Sequence, residues 1–528
     1  MTTIREATYQ LLRSNGMTTI FGNPGSNELP FLKDFPSDFR YVLGLHEGAV
    51  ISMADGYAQA SGNATFVNLH AAAGTGNAMG GLTNAVYSHS PLVITAGQQV
   101  RATVGMEVML ANVDAPSLPR PLVKWSAEPL SSDDVPRAIS QGIHTSTLPA
   151  PGPVYLSIPY DDWDRPAPEN VSHLAPRTSE VGGALTPAQL DRLVAEIQPS
   201  RNPVLVFGPD VDSVNANRDA VALSEKLNAP AWIAPSPARC PFPTRHANFR
   251  GVLPASIAGI SALFSTHDLV LVIGAPVFRY HQYEPGKYLP QGTTLRHITC
   301  DAGEAARAPM GGAFVGDIAA ILSQIVEAVE SRPTQATAAI APVPGPRTAD
   351  VADRLHPDEV FEILNRISPD DSVFVTESTS TPESFWRYMD LEEQGSFYAP
   401  ASGGLGFGLP AAVGVQMAND ERQVFGVIGD GSANFGITGL WTAAQYSVPV
   451  IFLILNNGTY GALRWFAGVL GTGETPGLDV PEIDFVQLAE GYGVKAEAVG
   501  TREDFETALK KALAGDGPAL IEVRTVLS

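Results

Sequence analysis

Short apolar runs, each closed by glycine or a polar loop and separated by stretches of helical length, recur along the whole chain. In the first third, Thr65–Leu69 and Pro91–Thr95 flank a Gly/Ala-rich segment. In the middle, Pro203–Phe207 and Leu269–Ile273 are each followed by glycine, and in the last third Ser372–Thr376, Val424–Ile428 and Val450–Leu455 repeat the pattern. Runs this short and this apolar suit strands buried on both faces of a parallel sheet. Their alternation with helices predicts an α/β protein of three doubly wound parallel-sheet domains. Two stretches lack apolar periodicity and read as linkers: Asp161 to Gly183, rich in Pro, Ser and charge, and Ser331 to Asp350, rich in Ala, Pro and Thr. They divide the 528 residues into domains 1–180, 181–342 and 343–528, each of ordinary size.

Charge narrows the partners. With 33 Lys+Arg against 55 Asp+Glu the chain carries a formal charge of −22, which argues against nucleic acid and against an anionic membrane surface. The longest apolar runs, near Leu269–Phe278 and Val448–Leu455, are too short to span a bilayer. No signal peptide is visible, because Met1 to Arg5 leads straight into an amphipathic segment containing Glu6. Cys240 and Cys300 offer neither a disulfide framework nor a zinc spacing. A cytoplasmic, thiol-reducing location is expected.

The strongest local signal lies in the last third. Gly429-Asp430-Gly431-Ser432 closes one apolar run and Asn456-Asn457-Gly458-Thr459-Tyr460-Gly461 closes the next, with Ala433 to Tyr446 between them as a crossover helix. In a parallel sheet both loops fall at the carboxyl edge, where such folds bind ligands. Asp430, Asn457 and a nearby backbone carbonyl suit a hard divalent cation, magnesium above all, which also takes phosphate oxygens. Glycines let backbone approach the phosphate, and a helix starting near Ser432 would point free N–H groups at it. Gly74-Thr75-Gly76-Asn77-Ala78-Met79-Gly80 also follows a strand and opens a helix. The next strand, however, runs into Ala96-Gly97-Gln98-Gln99 without the acid a dinucleotide site needs, so these glycines read as close helix packing.

The 27-residue interval from Asp430 to Asn457 resembles the GDG–spacer–NN motif of thiamine diphosphate enzymes. Gly22-Asn23-Pro24-Gly25-Ser26, His46-Glu47-Gly48-Ala49 with Ala54-Asp55-Gly56-Tyr57-Ala58, His70 and Arg279-Tyr280-His281-Gln282-Tyr283 extend the likeness. So do Pro119–Trp125 and Thr459–Gly468, and together they resemble the benzoylformate-decarboxylase branch of the 2-oxo acid decarboxylases along essentially the whole chain.

That resemblance implies thiamine diphosphate with magnesium, or calcium in its place. Asp430, Asn457 and the Thr459 backbone would hold the metal. Thr379, Ser380 and Ser432 would hold the diphosphate, with Gly429, Gly431 and Tyr460 beside it. Gly403 and Leu405 would support the bent cofactor, and Glu47 would protonate its pyrimidine. Ser26 would bind the substrate carboxylate, His70 would protonate the carbonyl oxygen, and His281 would serve aldehyde release. The implied reaction is non-oxidative decarboxylation of an aryl 2-oxo acid through a thiamine-bound enamine, as in mandelate catabolism. The alternatives are another 2-oxo acid, phenylpyruvate or branched-chain, or a thiamine-dependent carboligase or aldehyde lyase. Leu110, Leu463 and Phe466 suit an apolar wall for a phenyl ring, while Ala399 stands near where the branch carries an aromatic, which implies a wider pocket. The resemblance further implies a homo-oligomer, a dimer of dimers with active sites between subunits.

Overall fold

Every one of the apolar runs becomes a buried strand in the computed structural model, which describes residues 2–279, 286–333 and 343–527. The first sheet holds β1 (Thr19–Asn23), β2 (Arg40–Leu43), β3 (Thr65–Leu69), β4 (Leu92–Gln98), β5 (Trp125–Ala127) and β6 (Val154–Pro159). The second holds β7 (Pro203–Phe207), β8 (Ala231–Ile233), β9 (Phe249–Val252), β10 (Leu269–Ile273), β11 (Thr294–Thr299) and β12 (Gly312–Val315). The third holds β13 (Val373–Glu377), β14 (Phe397–Tyr398), β15 (Val424–Gly429), β16 (Ile451–Asn456), β17 (Lys495–Val499) and β18 (Ala519–Arg524). All pairings within these sheets are parallel.

Strand order then places the chemistry. The orders are β2-β1-β3-β4-β6-β5, β12-β11-β10-β7-β8-β9 and β14-β13-β15-β16-β18-β17. In each sheet the winding reverses between two neighbours: β1 and β3, β7 and β10, β13 and β15. Loops leaving the carboxyl ends of such a pair diverge and open a crevice, the usual ligand position in doubly wound folds. Ser26 follows β1 and His70 follows β3. Thr379 and Ser380 follow β13, and Asp430 follows β15.

Two glycines fix how the first and third sheets meet. The helix Glu47–Ser61 lies against the helix Gly408–Ala418 so closely that a Cβ on Gly56 would sit 2.4 Å from the Ala411 carbonyl. A Cβ on Gly414 would sit 1.9 Å from the Met53 carbonyl. Val50, Met53 and Ala54 thereby share one core with Ala411, Val415 and Ile428. The central domain is tied in by Arg239, which is buried, donates to Asp212 Oδ2 (2.7 Å) and to the Gln59 carbonyl (3.1 Å), and stacks over Tyr398 at 4.8 Å.

Two expectations change. Asp161 to Gly183 is not wholly linker: Trp163 is buried against Phe31, and Ile4 N–H donates to the Arg165 carbonyl (2.9 Å). Its aromatic ring anchors a segment whose composition otherwise reads as loop. The single crossover helix after Asp430 is two helices, Asp430–Gly436 and Gly439–Gln445, the first starting at Asp430 rather than near Ser432. Among the described residues no helix is long and apolar enough to cross a membrane.

Candidate active site

Glu28 organises the crevice of the first sheet. Its side chain is fully buried, and its carboxylate accepts N–H bonds from Gly25 (2.8 Å), Gly97 (2.8 Å) and Ala71 (3.3 Å). The same carboxylate pairs with His70 Nδ1 at 2.9 Å. A carboxylate that accepts throughout leaves Nδ1 as the donor and Nε2 as the ring atom for chemistry. Ala71 has a left-handed φ of 40°, which costs about 1–2 kcal/mol for a residue with a Cβ. The Glu28 bond to its N–H helps hold that turn, which re-aims the chain just after His70. Gly25 has to be glycine, because a Cβ there would lie 2.1 Å from His70 Nδ1. Ser26 is exposed at this edge, its hydroxyl 3.3 Å from Asn27 Oδ1.

Glu47 opens the helix Glu47–Ser61, with the His46 side chain accepting Gly48 N–H as the cap (3.1 Å). Its carboxylate is buried and held from both sides: Asn23 Nδ2 donates to Oε1 (3.2 Å) and Asn77 Nδ2 to Oε2 (3.0 Å). Gly74 leaves room for this acid, since a Cβ there would come 3.1 Å from Oε1. The glycines of the helix Ala71–Tyr87 therefore divide: Gly81 serves helix packing against Ile51, Gly74 serves Glu47, and a Cβ on Gly76 or Gly80 would meet nothing within 4 Å.

The third sheet supplies the cation and phosphate side. Asp430 is buried, accepting Gly431 N–H at Oδ1 (2.8 Å) and Gly458 N–H at Oδ2 (2.7 Å). Among the described residues no cationic side chain pairs with it, and burial raises its pKa, a penalty that a divalent cation would offset. Asn457 Oδ1 accepts Thr459 N–H (3.0 Å) and keeps a second lone pair, and the Thr459 carbonyl accepts Gly461 N–H (2.9 Å). The Tyr460 ring packs against Gly431, where a Cβ would approach it to 2.5 Å. Ser432 is buried in the helix Asp430–Gly436; Thr379 is exposed, and Ser380 lies beside Gly461. Oxygen donors around a buried acid, next to glycine-lined backbone, fit a magnesium-bound diphosphate.

A second buried acid joins these loops. Glu377, last residue of β13, accepts Gly406 N–H and Gly408 N–H, each at 2.7 Å, and burial pushes its carboxyl up to about 7. From the first domain, Asn84 binds the same stretch, accepting Ser402 Oγ–H (2.8 Å) and donating to the Gly404 carbonyl (2.9 Å). Gly403, with φ of 77°, and half-buried Leu405 sit between these clamps.

Of the expected pocket residues, Leu110 and Leu463 are exposed, while Phe466 is half-buried and meets Trp465 edge-on at 4.7 Å. Ala399 packs against the core of the third sheet, its N–H on the Ala238 carbonyl (3.0 Å). His281 lies outside the described residues. Sequence reading missed Glu28, Asn77, Asn84 and Glu377. Glu28 stood in a loop that reads as a turn, and the others carry no local signal.

A parallel-sheet enzyme with one crevice for a buried acid and another for a cation and phosphates is built to hold a diphosphate-bearing coenzyme. The chain belongs to the thiamine pyrophosphate enzyme family, matching its N-terminal TPP binding domain over residues 2–118, its central domain over 190–325 and its C-terminal TPP binding domain over 378–523. It is 63% identical over 525 residues to a benzoylformate decarboxylase of Pseudomonas aeruginosa, covering 99% of each chain. Among solved structures it is similar to the thiamine diphosphate-dependent 4-hydroxybenzoylformate decarboxylase of Rhodococcus jostii RHA1, with 60% identity, a TM-score of 0.98, and 100% and 99% of the two chains covered. A benzoylformate decarboxylase from Polynucleobacter necessarius aligns with a TM-score of 0.97 at 38% identity, covering 100% and 99%.

Proposed function

We propose that this chain is a thiamine diphosphate-dependent decarboxylase of aryl 2-oxo acids, converting benzoylformate to benzaldehyde and carbon dioxide. The Glu28–His70 pair beside Ser26 carries this reading, since a 2-oxo acid needs a proton donor at its carbonyl and a partner for its carboxylate. The substrates in the names of the full-length relatives support the aryl side chain.

Thiamine diphosphate, when bound, supplies an electron sink for the pair left behind as carbon dioxide departs. Glu47, held by Asn23 and Asn77, would be the acid facing the pyrimidine side of the bound cofactor, placed to hold or release a proton at its carboxyl group. Ser26 Oγ donates to the substrate carboxylate. With a proton on each ring nitrogen, His70 delivers the one on Nε2 to the carbonyl oxygen, while Glu28 accepts the Nδ1–H and orients the ring. His281 is assigned the later protonation by resemblance. Asp430, Asn457 and the Thr459 carbonyl would hold magnesium, while Thr379, Ser380, Gly429, Gly431, Ser432 and Tyr460 would line the diphosphate. Gly403 and Leu405 would support the bound cofactor, and Leu110 and Leu463, exposed in the single chain, would with Phe466 wall the phenyl group.

Supported by the three sheets, we take the domains as 1–180, 181–342 and 343–528. The active unit is a dimer within a dimer of dimers, located in the cytoplasm, using the 2-oxo acid formed by oxidation of mandelate. Substrate choice is tested by turnover of protein reconstituted with thiamine diphosphate and magnesium on benzoylformate, 4-hydroxybenzoylformate, phenylpyruvate and branched-chain 2-oxo acids. The aryl pair should show the highest kcat/KM; faster turnover of a branched-chain acid would overturn the assignment.

A further inference from the structure

A second cluster of donor atoms lies at the carboxyl edge of the central sheet, where β7 and β10 mark the reversal of winding. Asp210 follows β7, Cys300 and Asp301 follow β11, and Glu304 is on the short helix Ala302–Arg307. His89 reaches into this edge from the first domain, just after the helix Ala71–Tyr87. His89 Nδ1 lies 3.0 Å from Asp210 Oδ1, and Cys300 Sγ lies 3.8 Å from Asp210 Oδ2. One donor atom from each of His89, Asp210 and Cys300 falls within 4.8 Å of the others, and the same holds for His89, Asp301 and Glu304. With zinc bonds of roughly 2.0–2.3 Å, the edges of a tetrahedral site are roughly 3.3–3.8 Å, so small side-chain rotations would close the set.

We propose that His89, Asp210 and Cys300 bind a zinc ion that clasps the N-terminal domain to the central domain, with water in the fourth position. Imidazole and thiolate select zinc over magnesium. The local charges permit the ion, since exchanging it for two protons leaves their sum unchanged. Three carboxylates share this space with one imidazole, with Arg307 at 3.6 Å from Asp301 and 3.5 Å from Glu304 and Lys124 within electrostatic reach of Cys300. Burial, with Asp210 next, pushes Glu304 up to about 7, and burial with the same acids raises the Cys300 thiol. Against the lowering effect of burial, Asp210 draws His89 up to about 9. A further buried group adds to this. His297, 1% exposed and within electrostatic reach of Asp210 and Asp301, donates from Nε2 to the Ala275 carbonyl (2.8 Å), and its Nδ1 has no partner among the described residues. Zinc would replace two protons, one from the Cys300 thiol and one from the His89 imidazolium, both passing to the buffer. No zinc spacing is visible in the sequence because the donors come from three distant segments and meet only once two domains pack.

The site is tested with full-length protein carrying thiamine diphosphate and magnesium, freed of zinc and titrated with cobalt(II). One equivalent per chain should give a thiolate-to-cobalt charge-transfer band that zinc displaces. Cys300→Ser should abolish the band, Cys240→Ser should keep it, and His89→Gln should weaken binding at least about tenfold. In unmodified protein, one equivalent of zinc should slow alkylation of Cys300 at least about tenfold while excess magnesium leaves it unchanged. No band at stoichiometric cobalt, a band that survives Cys300→Ser, or alkylation of Cys300 indifferent to zinc would each overturn the proposal.

Discussion

At His70 one ring nitrogen is committed to Glu28, and that division of labour makes the two residues separable by mutation. His70→Ala removes the proton donor, and kcat/KM for benzoylformate should fall by about 10²–10⁴. Glu28→Gln keeps the shape but turns an all-accepting group into one that also donates, and because each oxygen serves two of its four N–H partners, two of them lose their acceptor. Its kcat should fall with little change in KM, and the pH profile of kcat should move; an unmoved profile at unchanged kcat would refute the positioning role. His70, Glu47 and Asp430 are legible in the sequence because each stands in a spaced motif. Glu28 is not, since only the fold brings the β1 loop onto the ends of β3 and β4.

Elements explain what motif matching leaves blank. Gly56 belongs to the stretch Ala54 to Ala58, yet its role is contact with Ala411, and Gly414, in no motif, does the same from the other side. Gly414→Ala should destabilise the protein by about 1–3 kcal/mol through overpacking, read as a lower denaturation midpoint. Strand runs were legible to within a residue or two at most ends, because burial on both faces leaves a continuous apolar signature. Helices were less so: the break between Gly436 and Gly439 and the anchoring of Trp163 depend on packing that no local pattern encodes.

At the scale of the whole molecule, the acid site and the cation site lie on different sheets. If each active site takes Glu47 from one subunit and Asp430 from another, Glu47→Gln and Asp430→Asn chains should complement. Inactive alone, they should recover about a quarter of wild-type activity when reassociated at equal ratio, as half the dimers carry one intact site. Zero recovery on mixing would place both groups in one subunit. Stability should also titrate. Burial pushes Asp55 up to about 6, against its bonds from Gln59, Ser88 and Ser90. A folded pKa above the unfolded one stabilises the fold while the acid is protonated, below about 4, and that contribution is lost as pH rises through about 6. Asp55→Asn, which stays neutral, should lessen the loss of stability between pH 4 and 7 by on the order of 1–3 kcal/mol, measured by denaturant unfolding.

The central claim is cofactor-dependent decarboxylation initiated from Glu47. Carbon dioxide and benzaldehyde released from benzoylformate should be measured in parallel for the unmodified protein and Glu47→Gln, both loaded with thiamine diphosphate and magnesium. The account predicts equal amounts of the two products from the unmodified protein and a rate at least about 100-fold lower from the variant. No release by the unmodified protein, or full activity in the variant, would contradict it.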